Sequence, residues 1–108
     1  MDFTETESAA FWPVYNAYRA EVRKIDDKSV ALYHEADAAL GSLTMVKAQS
    51  LLEQWMSLMA EKATLRKSYV KKFGKTIPAK KLVRYYQIEN KMDAVIAYSM
   101  AENIPLVH

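Results

Sequence analysis

Cysteine is missing altogether from this 108-residue chain, which excludes disulfides, thiolate catalysis and cysteine-held metal sites together. Glycine occurs only twice and proline three times. With so few residues that break a helix or demand a special turn, and with Ala, Leu, Lys, Glu and Met common, the composition leans strongly to helix. No apolar run approaches the roughly 18 residues of a membrane span. The polar, acidic opening MDFTETES is not the basic-then-apolar pattern of an export leader. Acidic residues are also missing from one long stretch: Lys62 to Ile88 contains no Asp or Glu.

That stretch is where the positive charge lies. Nine of the fifteen Lys and Arg residues fall in it, so residues 62–88 carry +9, residues 1–61 carry −5 and residues 89–108 carry −2. The net charge of +2 therefore hides a strong charge dipole. A single domain is expected from the length.

Apolar periodicity predicts three helices, at about 9–39, 45–73 and 78–102. In the first, Phe11, Tyr15, Tyr18, Val22, Ile25, Ser29, Leu32, Ala36 and Ala39 form a row spaced alternately by four and three, apolar except at Ser29. This is the 3.5 period of a helix packed along another. Arg19, Arg23, Lys24 and Asp27 lie off the row and are expected in water. Residues 1–7 read as a frayed lead-in, Ser8 as the N-cap, Pro13 as near the end of the first turn, and Gly41 as the stop.

Thr44 is expected to cap the second helix, whose stripe is Ala48, Leu51, Leu52, Trp55, Leu58, Met59, Lys62, Leu65, Tyr69 and Phe73, ending at Gly74. Pro78 suits the first position of the third. Its stripe is Leu82, Tyr85, Tyr86, Met92, Val95, Ile96 and Ser99, interrupted by Glu89. A carboxylate facing a seam needs a partner, and Lys62 is the expected one, with Arg66 and Arg84 as rivals. Adjacent Tyr85 and Tyr86 cannot both face one neighbour, so one is expected to be exposed or at a dimer interface.

Helices of these lengths would be about 45, 43 and 38 Å long, against a diameter of about 34 Å for a compact chain of this size. The expectation is therefore an all-α, elongated bundle of antiparallel hairpins whose leftover apolar flank is covered in a homodimer.

No catalytic constellation is visible. His34-Glu35 lacks the second His at i+4 that a zinc helix needs, since position 38 is Ala38 and His108 is the sole other imidazole. Asp26 and Asp27 diverge by about 100° on a helix. There is no phosphate-binding glycine loop and no Ser/His/Asp set. No enzyme, metal or cofactor is expected.

The basic stretch is the candidate partner-binding surface: Arg66, Lys67, Lys71, Lys72, Lys75, Lys80, Lys81 and Arg84, interleaved with Tyr69, Phe73, Tyr85 and Tyr86. Nucleic acid would use such charges as phosphate contacts, but the flanking helices are far too long for a helix-turn-helix. An anionic membrane surface or a protein client fits better.

Leu43-Thr44 entering a helix, echoed by Ile77-Pro78 ahead of Arg84-Tyr85-Tyr86-Gln87-Ile88-Glu89, resembles the LTxxQ signature of small helical bacterial envelope proteins. That group includes the Spy and CpxP stress chaperones and metal-resistance sensors. The likeness covers residues 40–95, with Lys47 and Lys81 at the place of the motif Gln, and Gln49 two positions later than the first. It implies an export leader, a periplasmic address and an all-helical antiparallel dimer. It further implies an inner face, basic and partly apolar, that holds partly unfolded clients without ATP. The alternative is a cytoplasmic nucleic-acid-binding or regulatory protein using the same basic end.

Overall fold

The computed structural model describes residues 2–103, and among them there are helices and turns but no strand. Helix α1 spans Glu5–Ala38, a 3-10 turn spans Leu40–Ser42, α2 spans Met45–Gly74 and α3 spans Ala79–Asn103. The fold class is all-α, as the composition predicts. Expected boundaries at 39, 45 and 73 hold within a residue, and α3 starts one residue after Pro78.

The start of α1 does not follow expectation. It begins at Glu5, not near residue 9, because Thr4-Glu5-Thr6-Glu7 is a capping box. Glu7 N–H donates to Thr4 Oγ1 at 3.2 Å and Thr4 N–H donates to Glu7 Oε1 at 2.8 Å, so two backbone donors of the helix end are satisfied reciprocally. The supposed lead-in is thus the first turn, and Pro13 lies inside the helix, where it supplies no N–H to the ladder.

Neither glycine acts as a left-handed cap, for neither has positive φ. Short i→i+3 bonds close the corners instead. Ala39 N–H donates to Ala36 O (3.2 Å) and Ser42 N–H to Ala39 O (3.0 Å) after α1, and Thr76 N–H donates to Phe73 O (2.9 Å) after α2. This tightened last turn satisfies carbonyls that a left-handed glycine would otherwise serve. Thr44 caps α2 as expected, accepting from Lys47 N–H at 3.1 Å.

The chain forms two compact units, one of Met1–Tyr15 with Lys71–His108 and the other of Asn16–Val70. In the second unit Tyr18, Val22, Ile25, Ser29 and Leu32 of α1 are buried with Leu51 and Tyr69 of α2. Contacts between the two helices run in opposite senses: Glu35 meets Lys47, Tyr33 meets Trp55, Asp26 meets Lys62 and Tyr18 meets Tyr69. Ser29 keeps its place in the row because its hydroxyl donates to Ile25 O at 3.1 Å, the back-bond that lets a serine sit within a helix. Lys62, expected to serve Glu89, donates to Asp26 Oδ1 at 3.0 Å.

The first unit is centred on Phe11, only 1% exposed. Its ring lies 5.3 Å from both Phe73 and Tyr85 and 4.7 Å from Phe3, within the range of favourable aromatic pairs. Ile77, in the link after α2, is buried, and so is Glu89 within α3, at 4% exposure.

Two parts of the expected stripes face water. On α2, Leu52 and Met59 are exposed, along with Met45 and Met56. On α3, Met92, Val95 and Ile96 are exposed.

Candidate functional site

Of the eight basic residues expected to form one surface, six lie in the first unit: Lys71, Lys72, Lys75, Lys80, Lys81 and Arg84. Arg66 and Lys67 lie in the second. In the first unit they cluster because the corner is short. Lys71 and Lys72 occupy the last turn of α2, where cations meet the negative end of the helix dipole and are stabilised. The link is held by Thr76, whose hydroxyl donates to Phe73 O at 2.7 Å, and by Ile77, buried as its anchor. Leu82 N–H bonds back to Pro78 O at 2.9 Å, which starts α3 at once. Lys80 and Lys81 therefore fall in its first turn, with no acid among them. There the dipole is positive and a cation is unfavourable.

One of the two is compensated. Lys81 donates to Glu7 Oε1 at 2.5 Å, so the acid of the capping box also ties the start of α1 to the start of α3. That hydrogen bond, then the Thr4 N–H, hold the Glu7 carboxyl below its ordinary value of 4.5. A carboxylate with a lowered pKa stabilises the fold above its ordinary range and loses that contribution as pH falls through the lowered value. Glu7→Gln should therefore lower the urea midpoint most at neutral pH, with the gap to the unmodified chain closing as acid protonates Glu7. A gap unchanged past the carboxylate range would show that Glu7 acts only through its shape.

Lys71, Lys75, Lys80 and Arg84 are exposed and have no ion-pair partner among the described residues. Beside them, Val83 and Tyr86 are exposed too, whereas Tyr85 is buried, which is the division expected for the tyrosine pair. Lys72 is exposed and Arg66 half-buried, and each makes an interaction of its own. The surface thus offers unneutralised cations next to apolar side chains.

Two concavities were not foreseen from the sequence. In the first unit a cleft of about 250 Å³ is walled by Phe3, Phe11, Trp12, Tyr15, Tyr85 and Met92, with Glu89 its one carboxylate. In the second an open groove of about 670 Å³ runs past Lys28, Glu35, Glu53 and Gln54. Its Glu35 is engaged by Lys47 at 2.5 Å. The aromatic row on α1 is the sequence signal for the first. Periodicity marks those rings as core, however, and does not show where a core stops short of filling its space.

Among the described residues no group of three or more His, Asp or Glu could hold a metal ion, and no helix is long and apolar enough to cross a membrane. Comparison of the chain with protein-family models, curated proteins and solved structures finds no match.

Proposed function

We propose that this chain is a non-enzymatic binding protein of the bacterial periplasm. In this reading it is built of antiparallel helical hairpins, works as a homodimer, and holds partly unfolded protein clients on the basic corner between α2 and α3. The observation that carries the reading is the first turn of α3. Lys80 stands at the positive end of a helix with no acid in the turn and, like Lys71 and Lys75, no ion-pair partner among the described residues. Local physics disfavours that arrangement, and departures of this kind are characteristic of sites kept for binding. Exposed Val83 and Tyr86 add the apolar contacts an unfolded chain would seek. The opposed contacts of α1 and α2 support the hairpin arrangement. The periplasmic address rests on the LTxxQ likeness.

The test is suppression of aggregation of a chemically unfolded client, followed by light scattering. The variant Lys71→Glu, Lys75→Glu, Lys80→Glu leaves the Glu7–Lys81 bond in place and should keep its helicity while losing most of the suppression. Full suppression by that variant would remove the basic corner from the function. Steeply salt-dependent retention on DNA without client protection would favour the cytoplasmic nucleic-acid reading instead.

A further inference from the structure

Among the described residues, little packs on the second half of α3. From Asn90 to Glu102 every described side chain except Asp93 is exposed, although Met92, Val95 and Ile96 are among them and Ile88 precedes them. A helical stretch of this length is only marginal alone in water. Positions 88, 92, 95 and 99 follow the four-three spacing of a packing seam. Ile88, Lys91, Met92, Val95 and Ile96 line a shallow groove along it.

Charge identifies the occupant. Arg84 and Glu102 are eighteen residues apart, which is five turns of 3.6, so they lie on one line beside the seam, about 27 Å apart. Both are exposed and neither has an ion-pair partner among the described residues. A complementary surface needs an apolar stripe of the same length, with an anion opposite Arg84 and a cation opposite Glu102. The same helix turned end over end supplies all three.

We propose that this seam joins two copies of the chain, α3 packing antiparallel against α3, with Arg84 of each copy paired to Glu102 of the other. The two-fold axis then passes near residue 93. Ile88 of one copy nests between Val95 and Ser99 of the second, and Met92 meets Met92. The two Lys91 side chains come near each other beside the axis, a like-charge contact that their length lets them relieve by reaching sideways into water. The seam rests on the homodimer of the proposed reading, and it assigns that dimer a face and a register of its own, which takes Arg84 out of the basic corner and leaves Lys71, Lys75 and Lys80 to the client.

Sedimentation equilibrium of the full chain tests it, with circular dichroism as the check on folding. The unmodified chain should sediment at twice 12.4 kDa. Arg84→Glu and Glu102→Arg each replace two attractions by two repulsions and should weaken the dimer roughly 10- to 100-fold. The double exchange should restore it, and an equal mixture of the two single variants should dimerise as tightly as the original, because each then supplies what the other lacks. Only an antiparallel pairing of this register predicts that complementation. A monomer at every concentration would overturn both the dimer and the seam. Single variants that dimerise like the original would overturn the seam and leave a dimer through another face. Loss of client suppression in the lysine variant, with its dimer intact, bears on the basic corner alone.

Discussion

Phe11→Ala should cost about 3–5 kcal/mol of stability, the range for removing a large ring from a core. Phe11 is at 1% exposure, and its ring packs on Phe3, Trp12, Tyr15, Phe73 and Tyr85 at centroid distances between 4.7 and 5.8 Å. These neighbours come from α1, α2 and α3 and from the residues ahead of α1, so they cannot all close on the vacated space. A domain of this size has only about 5–15 kcal/mol in total, so the melting temperature should fall by at least roughly 10 °C. Thermal melting by circular dichroism measures it, and Phe11→Leu, which keeps much of the volume, should fall far less. If the alanine variant melted within a few degrees of the original chain, the aromatic cluster would not be the centre of the first unit.

Tyr18→Ala should be of similar size, about 3–5 kcal/mol by the same mechanism, but in the second unit. Tyr18 is 2% exposed and its ring sits 5.2 Å from that of Tyr69 at 55°. The comparison that isolates the ring is Tyr18→Phe, which removes the hydroxyl alone, keeps the ring against Tyr69 and should cost far less. Urea denaturation of the two variants gives the two differences directly. Equal losses would mean that the hydroxyl, not ring packing, holds Tyr18 in place.

The positions most sensitive to substitution were legible in the sequence because both lie on the row of α1. Of its nine members, Phe11, Tyr18, Val22, Ile25, Ser29 and Leu32 are buried, and Tyr15, Ala36 and Ala39 are half-buried. A helix with one continuous partner face writes that face into its spacing. Thr44 was legible as a cap for a local reason, since its hydroxyl needs only the N–H three residues on. The capping box at Thr4 and Glu7 was equally local, but Pro13 drew the expected helix start several residues too late.

Other features depend on distance along the chain. Lys62 finds Asp26 from 36 residues away and Lys81 finds Glu7 from 74, and no spacing rule selects those acids from the thirteen available. The basic run likewise reads as one surface, whereas Arg66 and Lys67 belong to the second unit and Lys81 is held by Glu7. Periodicity marks Leu52, Met59, Met92, Val95 and Ile96 as apolar positions without saying whether anything lies against them. All five are exposed.

Among the described residues no backbone position takes a left-handed conformation. A methyl group added at Gly41 would meet nothing within 4 Å, and one at Gly74 would touch only Leu82 Cδ2 at an ordinary 3.6 Å. Both bends can therefore be made by almost any L-amino acid, and stereochemistry pins no letter of the alphabet there. Such an architecture can drift far in spelling while its rods keep their length, so kinship between chains of this design would fade from their texts well before it faded from their shapes.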